Sequence, residues 1–329
     1  MAAADPDTDW APTATFATLQ VRADLLARTR AYFAGTGALE VETPVLVRAP
    51  VTDVHLESLR VVDATDGSGA GFLQTSPEYA MKRLLCAGAP DIYQLCKVFR
   101  AGERGRRHNP EFTMLEWYRR GIDHHALMRD VEALVRALLE PRVRVGASAF
   151  LTYRQAFERE LGLDPLRATG EELRHAIEQR GVAVPRSMVN AVEPRDDLLD
   201  LAMGTIVADS FAPDRLTFLH DFPASQAALA RIEGEVAARF EAFWGPAELA
   251  NGFHELGSSD EQSARFDADV AERTRRGRPA RARDTRFLAA LRAGLPDCSG
   301  VALGFDRLVM VATGAPTIDE VLAFPSERA

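Results

Sequence analysis

Two pairs of strand-like runs, each joined by a single connection, constrain the fold of this chain most strongly. In the first pair, IYQLCKVFR and EFTMLEWYR are rich in β-branched and aromatic residues and enclose the polar loop AGERGRRHNP. The second pair lies in RFEAFWGPAELANGF. A mainly helical insertion at about 141–215 separates the two pairs, and repeated βαβ units are absent from the sequence pattern. Long hairpins of this kind predict an α+β fold around an antiparallel β-sheet flanked by helices.

Apolar spacing and capping residues predict the helices around these hairpins. A first helix should run from about 18 to 34, and the short strand ALEVETPVL should follow, with Pro44 limiting its pairing. Ser76 as the N-cap and Pro77 as the first helical residue predict a helix through Leu85. Further helices are predicted at His124 to about Leu139 and near 152–161, 169–180, 196–210 and 262–293. We expect residues 1–17 to be a lead-in and 18–329 to form the main domain.

Composition excludes several classes of protein. The 329 residues are 47% hydrophobic, which excludes a disordered chain, and no run approaches the ~18 apolar residues of a spanning helix. The acidic start MAAADPDTDW is unlike a signal peptide, so we expect a cytoplasmic protein with no membrane association. Cys86, Cys96 and Cys298 lack CxxC spacing and are expected to be core thiols. The net charge of −9 argues against a protein that coats nucleic acid.

The loop between the first pair of strands concentrates positive charge. Its basic residues fall within nine positions and are Arg100, Arg104, Arg106, Arg107 and His108. A solvated hairpin tip would explain this charge as well as an anion site does. The flanking residues favour an anion site, because Arg100 closes one strand and Phe112 is the second residue of the next. Guanidinium groups beside an aromatic face suit the phosphates and the base of a nucleoside triphosphate.

The second pair of strands carries two acids that can hold a metal ion. If Trp244-Gly245 is the hairpin tip, Glu241 lies directly opposite Glu248. Like charges at such a pair destabilise a sheet unless a cation lies between them. Because Mg²⁺ binds through carboxylates and phosphate oxygens, the pair is interpreted as a Mg²⁺ site. A register shifted by one residue would instead place the acids on opposite faces.

Two glycines mark places where the backbone can serve a site. Gly252, between Asn251 and Glu255, is a candidate position for a bulge that would re-aim those side chains. Gly304 ends the apolar run GVALG and allows close approach of a ligand to the backbone. Arg307 follows at the start of a helix and could stack on the face of a base that Phe112 leaves open.

Taken together, ALEVETPVL, RHNPEFTMLEWY, ELANGFHEL and GVALGFDR resemble the three signature motifs of class II aminoacyl-tRNA synthetases, in the family's order. The resemblance is closest to the lysine-type catalytic domain and covers about residues 18–325. It implies an antiparallel sheet of six or seven strands, ATP and Mg²⁺ as ligands, and a homodimer formed through the helix and strand around Pro44.

The resemblance also implies roles for individual residues. Arg100 and Arg307 match the residues expected to act on the reacting nucleotide. The full ATP-binding set is Arg100, Glu103, His108, Asn109, Phe112, Glu248, Leu249, Gly304 and Arg307. The metal set is Glu241 and Glu248. The amino-acid set is Ser76, Pro77, Glu78, Tyr118, Asn251, Glu255 and Ala302. Acids at both ends of the pocket imply a substrate with two amines, such as lysine or an isomer.

This sequence departs from the family's pattern in two places. Lysine-type synthetases read Arg-Asn-Glu in the second motif, whereas this chain reads Arg100-Ala101-Gly102-Glu103, so the acid follows one residue later. Ala302 stands where tRNA-charging relatives carry glycine. We hypothesise that its methyl group crowds the α-amino position and favours an amine on the β-carbon.

The length before the first motif bears on the choice between tRNA and a protein as acceptor. Only about 17 residues stand where a lysyl-tRNA synthetase carries its anticodon-binding barrel, so we expect no tRNA substrate. The runs TSPEYAMKRL and DFPASQAALAR extend the resemblance to truncated relatives that attach a lysine-type residue, preferably (R)-β-lysine, to a lysine of elongation factor P. The resemblance therefore implies an ATP-dependent protein ligase.

Other functions remain open to the same motifs. They are tRNA charging by a minimal synthetase, ligation of a free amino acid of the asparagine-synthetase type, and binding by an inactive synthetase-like regulator. Seven arginines between Arg273 and Arg286 predict a solvated helix face, with docking of an acidic partner as the alternative.

Overall fold

The computed structural model describes residues 10–189 and 195–329. The strands are β1 Leu39–Glu40, β2 Leu46–Val47, β3 Arg60–Val62, β4 Gly69–Leu73, β5 Ile92–Phe99, β6 Glu111–Arg120, β7 Ala149–Thr152, β8 Leu216–Pro223, β9 Ile232–Glu233, β10 Val236–Trp244, β11 Ala247–His254 and β12 Cys298–Gly304. The helices are α1 Phe16–Gly35, α2 Glu78–Cys86, α3 His124–Leu139, α4 Tyr153–Leu161, α5 Gly170–Gln179, α6 Arg186–Val189, α7 Arg195–Ala202, α8 Ser259–Arg275, α9 Thr285–Ala293 and α10 Phe305–Thr313. Predictions for residues 1–9 and 190–194 lie outside the described residues.

The main sheet confirms the predicted fold class. Its strand order is β1-β5-β6-β12-β11-β10-β8-β7, with β9 paired to β10. The six neighbouring strands in the middle of this order are antiparallel; they are β5, β6, β12, β11, β10 and β8. At the two edges, β1 and β7 pair in parallel with their neighbours. A separate small sheet has the order β2-β4-β3. The chain is therefore an α+β protein with an antiparallel sheet flanked by helices.

The two faces of the main sheet have different partners. On β6, Leu115 and Trp117 face a core that α1, α3 and α10 complete. Because side chains alternate along a strand, Glu116 and Tyr118 project from the opposite face. There the helices α4, α5 and α7 pack around Phe222 of β8, and they cover one end of this second face. In the described ranges no helix is long and apolar enough to cross a lipid bilayer.

Most predicted helices are present with small changes at their ends. The bounds of α3 agree with the prediction, because Asp123 caps its first turn by accepting from the Ala126 amide. Helix α2 begins one residue later than predicted, with Pro77 as the N-cap. Ser76 nevertheless accepts a hydrogen bond from the Glu78 amide at 3.0 Å, as a capping residue would. The predicted helix at 262–293 is two helices, α8 and α9, and the helix at 196–210 continues beyond α7 as a π-turn, Met203–Val207, and a 3-10 turn.

The predicted tip of the second hairpin is wrong by one residue. Trp244 pairs with Ala247, so the loop is Gly245-Pro246, and Gly245 has the positive φ of +52° that favours glycine. Glu241 therefore pairs with Asn251, and Glu248 pairs with Phe243. A bulge between these pairs inserts Leu249, whereas Gly252 pairs regularly and is not the bulge. The extra residue shifts the alternation, so that Glu248 and Asn251 both project on the side of Glu241.

The arginine-rich segment is bound largely within the protein. Arg273 is fully buried, and it donates to the carbonyl oxygens of Asp53 and Leu56 and to the Glu57 carboxylate. Arg281 also contacts Glu57, and Arg276 pairs with Asp197. The prediction of a fully solvated helix face is wrong for Arg273, because the loop after α8 folds over residues 53–57. Docking of an acidic partner by this segment stays a prediction.

Candidate active site

A cavity of about 1830 Å³ opens on the second face of the sheet, beside the helical insertion. It brings together nearly all residues that the sequence selected. Those lining it are Ser76, Pro77, Glu78, Arg100, Glu103, His108, Asn109, Phe112, Glu241, Glu248, Leu249, Asn251, Ala302, Gly304 and Arg307. Tyr118 and Glu255 are buried just below the lining. The insertion contributes Arg195, Asp196, Asp197 and Asp200 to the cavity wall.

One lateral row of the sheet sets the length of the site. Neighbouring strands place Glu116, Ala302, Asn251 and Glu241 side by side across β6, β12, β11 and β10. Since adjacent strands lie about 4.8 Å apart, the backbone positions of Glu116 and Glu241 are separated by roughly 14 Å along the sheet. Glu241 lines the cavity at one end of the row, and Glu116 is buried beneath the lining at the other, with small or neutral side chains between them.

Arg307 is fixed on the wall of the cavity by three acceptors. Its Nη1 donates to the Glu248 carbonyl oxygen at 2.7 Å, and its Nε faces the Arg107 carbonyl oxygen. Its Nη2 lies 2.8 Å from His108 Nε2. Because a guanidinium can only donate, Nε2 of His108 must accept, and this ring is neutral. Burial, reinforced by the charge of Arg307, lowers the pKa of His108 and favours the same state.

Arg100 lies beside an aromatic ring at the opposite side of the loop. Its guanidinium carbon is 5.2 Å from the centroid of Phe112, and its Nη1 is 3.6 Å from Glu103 Oε1. Glu103 thus keeps an acid near Arg100 despite the altered spacing in the sequence. Asn109 is used differently, because its Oδ1 accepts from Arg104 and Ser326 and its Nδ2 donates to a backbone carbonyl. Its observed contacts brace the loop, and its contact with ATP stays a prediction.

Glu241 and Glu248 lie on one face, although they are not paired across the hairpin. Glu241 contacts Arg239 Nη2 at 2.6 Å. Burial raises the pKa of Glu241 to about 7; Arg239 opposes this rise, and the charge of Glu248 adds to it. Glu241 is a buried carboxylate that is difficult to ionise, and Glu248 is a second carboxylate on the same face. A divalent cation bound to both would stabilise their negatively charged forms. The donor set is all oxygen, as Mg²⁺ prefers.

At the other end of the cavity, a buried lysine joins two of the predicted amino-acid ligands. Lys82 is fully buried, and its Nζ lies 2.6 Å from Glu78 Oε1 and 2.5 Å from Glu255 Oε2. Burial lowers the pKa of Lys82, but the charges of Glu255 and Glu78 outweigh it and raise the pKa overall. Burial also raises the pKa of Glu255 to about 7, against the effect of Lys82. This lysine neutralises one of the charges at the acidic end.

Glu116 is a third buried carboxylate next to this pair. Its Oε2 accepts from the Ser76 hydroxyl and its Oε1 from the Tyr118 hydroxyl, both at 2.7 Å. Burial raises the pKa of Glu116 to about 8, and the charge of Glu78 adds to this rise. Unlike Glu78 and Glu255, Glu116 is held by hydroxyl groups rather than by the Lys82 ammonium. A cation brought by a ligand would therefore stabilise its charged form.

Gly300 allows these groups to approach one another. A Cβ at this position would lie 2.3 Å from a ring carbon of Tyr118 and 2.4 Å from Glu255 Oε1. Both distances are far below van der Waals contact, so any side chain here would displace the Tyr118 ring or the Glu255 carboxylate. By contrast, a Cβ at Gly304 would meet only Arg307 at ordinary distance, which leaves open space for a ligand.

The sequence-based selection missed Lys82, Glu116 and Gly300. Two signals were available: Lys82 follows Glu78 by four residues in the predicted helix α2, and Glu116 precedes Tyr118 by two in a predicted strand, hence on the same face. The contact between α2 and Glu255 could not be inferred from local pattern, because it joins residues that are far apart in the chain.

The strand–loop–strand of β5 and β6 and the β12–α10 junction carry the sequence motifs that resemble those of class II synthetases, and both border the cavity. A sequence model of the class II tRNA synthetases (D, K and N) matches residues 8–328. The chain belongs to this family.

Among its relatives are several proteins that share nearly its full length. A Vibrio cholerae protein named elongation factor P–(R)-β-lysine ligase is 47% identical over 98% of this chain and 99% of its own length. Proteins of the same name from Vibrio parahaemolyticus and Enterobacter sp. (strain 638) are each 46% identical over 97% of this chain and 98% of their own. The chain is thus similar to these ligases along nearly its whole length.

Proposed function

We propose that this protein activates (R)-β-lysine, or lysine, with ATP and transfers it to a lysine side chain of elongation factor P. The observation that carries the proposal is the charge of the buried acidic end. Glu78, Glu116 and Glu255 supply three negative charges when ionised, and Lys82 supplies one positive charge. The resulting net charge of −2 matches the two ammonium groups of a diamino acid.

The position of each acid supports a way of placing this substrate. Glu78 lines the cavity and is proposed to receive the ammonium nearest the carboxylate. Glu116, with Tyr118, is proposed to receive the ammonium at the far end of the side chain, and Glu255 adds negative charge to that end. The amide of Asn251 and the methyl group of Ala302 lie in the same row of the sheet and would contact the chain between the amines. Ser76 and Pro77 form the adjoining wall.

The basic side of the cavity is proposed to hold ATP. Phe112 and Arg307 would cover the two faces of the adenine, with Gly304 and Leu249 beside it. Arg100 would bind the α-phosphate, and Glu103, His108 and Asn109 would contribute to the nucleotide site. Glu241 and Glu248 would hold Mg²⁺, which supplies charge neutralisation for the phosphate oxygens when it is bound.

The residues support a mechanism that depends on positioning and charge. In the first step a substrate carboxylate oxygen attacks the α-phosphorus of ATP; the new P–O bond forms as the bond to pyrophosphate breaks. Arg100 stabilises the negative charge on the α-phosphate oxygens. In the second step the neutral amine of the acceptor lysine attacks the adenylate carbonyl, AMP leaves, and the amine loses a proton to solvent. No side-chain nucleophile is needed.

Exposed apolar residues around Pro44 support a homodimer. Leu39 at the sheet edge is 52% exposed and Leu46 is 47% exposed, and Val45, between Pro44 and Leu46, is 37% exposed. Such residues on an edge are typical of a protein–protein contact. We also propose a cytoplasmic location, because Cys86, Cys96 and Cys298 are free thiols, as expected in a reducing compartment.

The acceptor can be tested directly. Purified protein, ATP, Mg²⁺ and (R)-β-lysine should increase the mass of elongation factor P by one lysyl residue, and an acceptor with its target lysine changed to arginine should gain none. Charging of total tRNA under the same conditions would favour the minimal synthetase function instead. Absence of both products, together with absence of amino-acid-dependent pyrophosphate exchange, would support a binding protein and contradict the proposal.

A further inference from the structure

A cluster of histidines lies outside the active-site cavity, where the first turn of α3 meets strand β8. His124 and His125 begin the helix, and His220 and Asp221 are adjacent in the strand. Ligand atoms of His124, His125 and Asp221 all lie within 4.8 Å of one another. His220 Nδ1 is 3.0 Å from Asp221 Oδ2, and its ring centroid is 5.1 Å from that of His125. None of these side chains lines the cavity described above.

The spacing of the donor atoms fits a small cation. Asp221 Oδ1 lies 3.5 Å from His124 Nε2, while its other oxygen lies near His220. In a tetrahedral site with bonds of about 2.0–2.1 Å, neighbouring ligand atoms are roughly 3.3 Å apart. The 3.5 Å between Asp221 Oδ1 and His124 Nε2 is close to this value. His125 needs only a side-chain adjustment to supply a further ligand, because it is exposed.

The polar groups of the cluster also suit coordination. Asp221 carries the negative charge that offsets part of the charge of a cation. Nδ1 of His124 is buried with no hydrogen-bond partner among the described residues, so the protein does not use all the capacity of this ring.

The surrounding charges are mixed rather than uniformly repulsive. Asp123, the N-cap residue of α3, is an acid directly beside His124 and His125 and accepts from the Ala126 amide. Contact with Asp221 accounts for one ring nitrogen of His124 and one of His220. It does not account for His125, whose ring lies against both His124 and His220.

We propose that His124, His125 and Asp221 bind one divalent transition-metal ion, with Zn²⁺ as the best match, and that His220 positions Asp221 through its other carboxylate oxygen. Imidazole ligands select Zn²⁺, Co²⁺, Ni²⁺ or Cu²⁺ over Mg²⁺, which prefers oxygen. The site is therefore distinct from the proposed Mg²⁺ site at Glu241. A bound ion would join the start of α3 to the end of β8, two elements on which the sheet's core depends.

The test uses tag-free, full-length protein stripped with a chelator and titrated with Co²⁺. We expect d–d absorption bands typical of four-coordinate Co²⁺ at one equivalent, displaced by Zn²⁺ and unchanged by millimolar Mg²⁺. His125→Ala should weaken Co²⁺ binding by about 100-fold or more, since a ligand is lost. His175→Ala, at an exposed histidine of α5, is the matched control and should bind as the parent does.

Stability provides a second readout that does not depend on catalysis. Zn²⁺ should raise the melting temperature of the parent and of the control by a few degrees, and it should not do so for His125→Ala. Because His125 is exposed, this variant should fold. Binding of equal strength in the parent and in His125→Ala, or spectra identical to hydrated Co²⁺, would overturn the proposal. Neither result would affect the proposed ligase function, which pyrophosphate exchange measures separately.

Discussion

Replacing Glu116 by glutamine should weaken substrate binding and stabilise the protein at the same time. Glutamine has nearly the same shape and can still bond to the hydroxyl groups of Ser76 and Tyr118, which can each donate or accept. The change removes one of the three carboxylates at the acidic end and leaves Lys82 with its two partners. The gain in stability and the loss of binding have one cause. When Glu116 is ionised, its buried negative charge has no cation of its own in the free protein, and the substrate's ammonium supplies one.

The size of the stability effect follows from the pKa. Burial raises the pKa of Glu116 to about 8, from 4.5 for an ordinary glutamate. At about 1.4 kcal/mol for each tenfold change, the cost of ionising Glu116 in the folded protein is at most about 5 kcal/mol. Because the folded pKa is raised, the stability that Glu116 contributes is fully present below about pH 4.5 and is lost as the pH rises through about 8. Glu116→Gln should therefore raise the melting temperature at pH 8.5 by several degrees and change it little near pH 4.5.

Glu116→Gln should weaken substrate binding even though it stabilises the protein. A hydrogen bond from an ammonium to a carboxylate contributes about 1–1.5 kcal/mol more than one to a neutral amide, which corresponds to a KM for the diamino acid raised about 5- to 13-fold. The KM for ATP should remain close to that of the parent, because Glu116 lies at the amino-acid end. Both constants can be measured by amino-acid-dependent exchange of pyrophosphate into ATP.

A matched control separates this effect from a general loss of charge. Glu111 lies at the start of the same strand, is exposed and pairs with Lys97. Glu111→Gln should leave both KM values and the pH dependence of stability nearly unchanged. A Glu116→Gln protein with an unchanged KM for the amino acid, or with a lower melting temperature at pH 8.5, would refute this account of the pocket.

Three further predictions concern other parts of the site. Lys82→Met should lower the free energy of unfolding by about 3–5 kcal/mol in urea titrations, because it leaves buried carboxylates unpaired. Adding Glu255→Gln to this variant should restore part of the loss. If the effects of the two substitutions on the free energy of unfolding simply add, the pairing of Lys82 with Glu255 is contradicted. Glu241→Gln should raise the Mg²⁺ concentration needed for half-maximal adenylate formation about tenfold or more, and an unchanged requirement would remove Glu241 from the metal site. Ala302→Gly should increase the use of α-lysine relative to β-lysine in pyrophosphate exchange, and an unchanged ratio would refute the role of the Ala302 methyl group.

Local signals were sufficient for elements whose ends are set by their own residues. Helix α3 has the predicted bounds, and its ends are set locally, since Asp123 caps its start and Pro141 follows its end. Strands β5 and β6 were predicted because apolar runs enclose a loop of charged and turn-forming residues. The same reasoning failed for the second hairpin, since both Trp244-Gly245 and Gly245-Pro246 can form the tip. Only the pairing partners of β10 decide between them.

The candidate site was predictable where motif residues lie on one strand or loop. It was less predictable where distant elements meet. The bulge at Leu249 has no sequence signal of its own, yet it brings Glu248 and Asn251 onto the face of Glu241. The contact of Lys82 with Glu255 depends on α2 packing against the sheet. The need for glycine at position 300 could be recognised only in the structure, where Tyr118 and Glu255 both lie against it.

The central claim is that the pocket selects an amino acid with two ammonium groups, and a set of matched substrates tests it most directly. Pyrophosphate exchange should be supported by β-lysine and by lysine. Norleucine, which lacks the distal amine, and 6-aminohexanoate, which lacks the amine near the carboxylate, should each be at least about 100-fold poorer, as expected when a charged partner is left unpaired. Equal exchange with norleucine and lysine would contradict the claim.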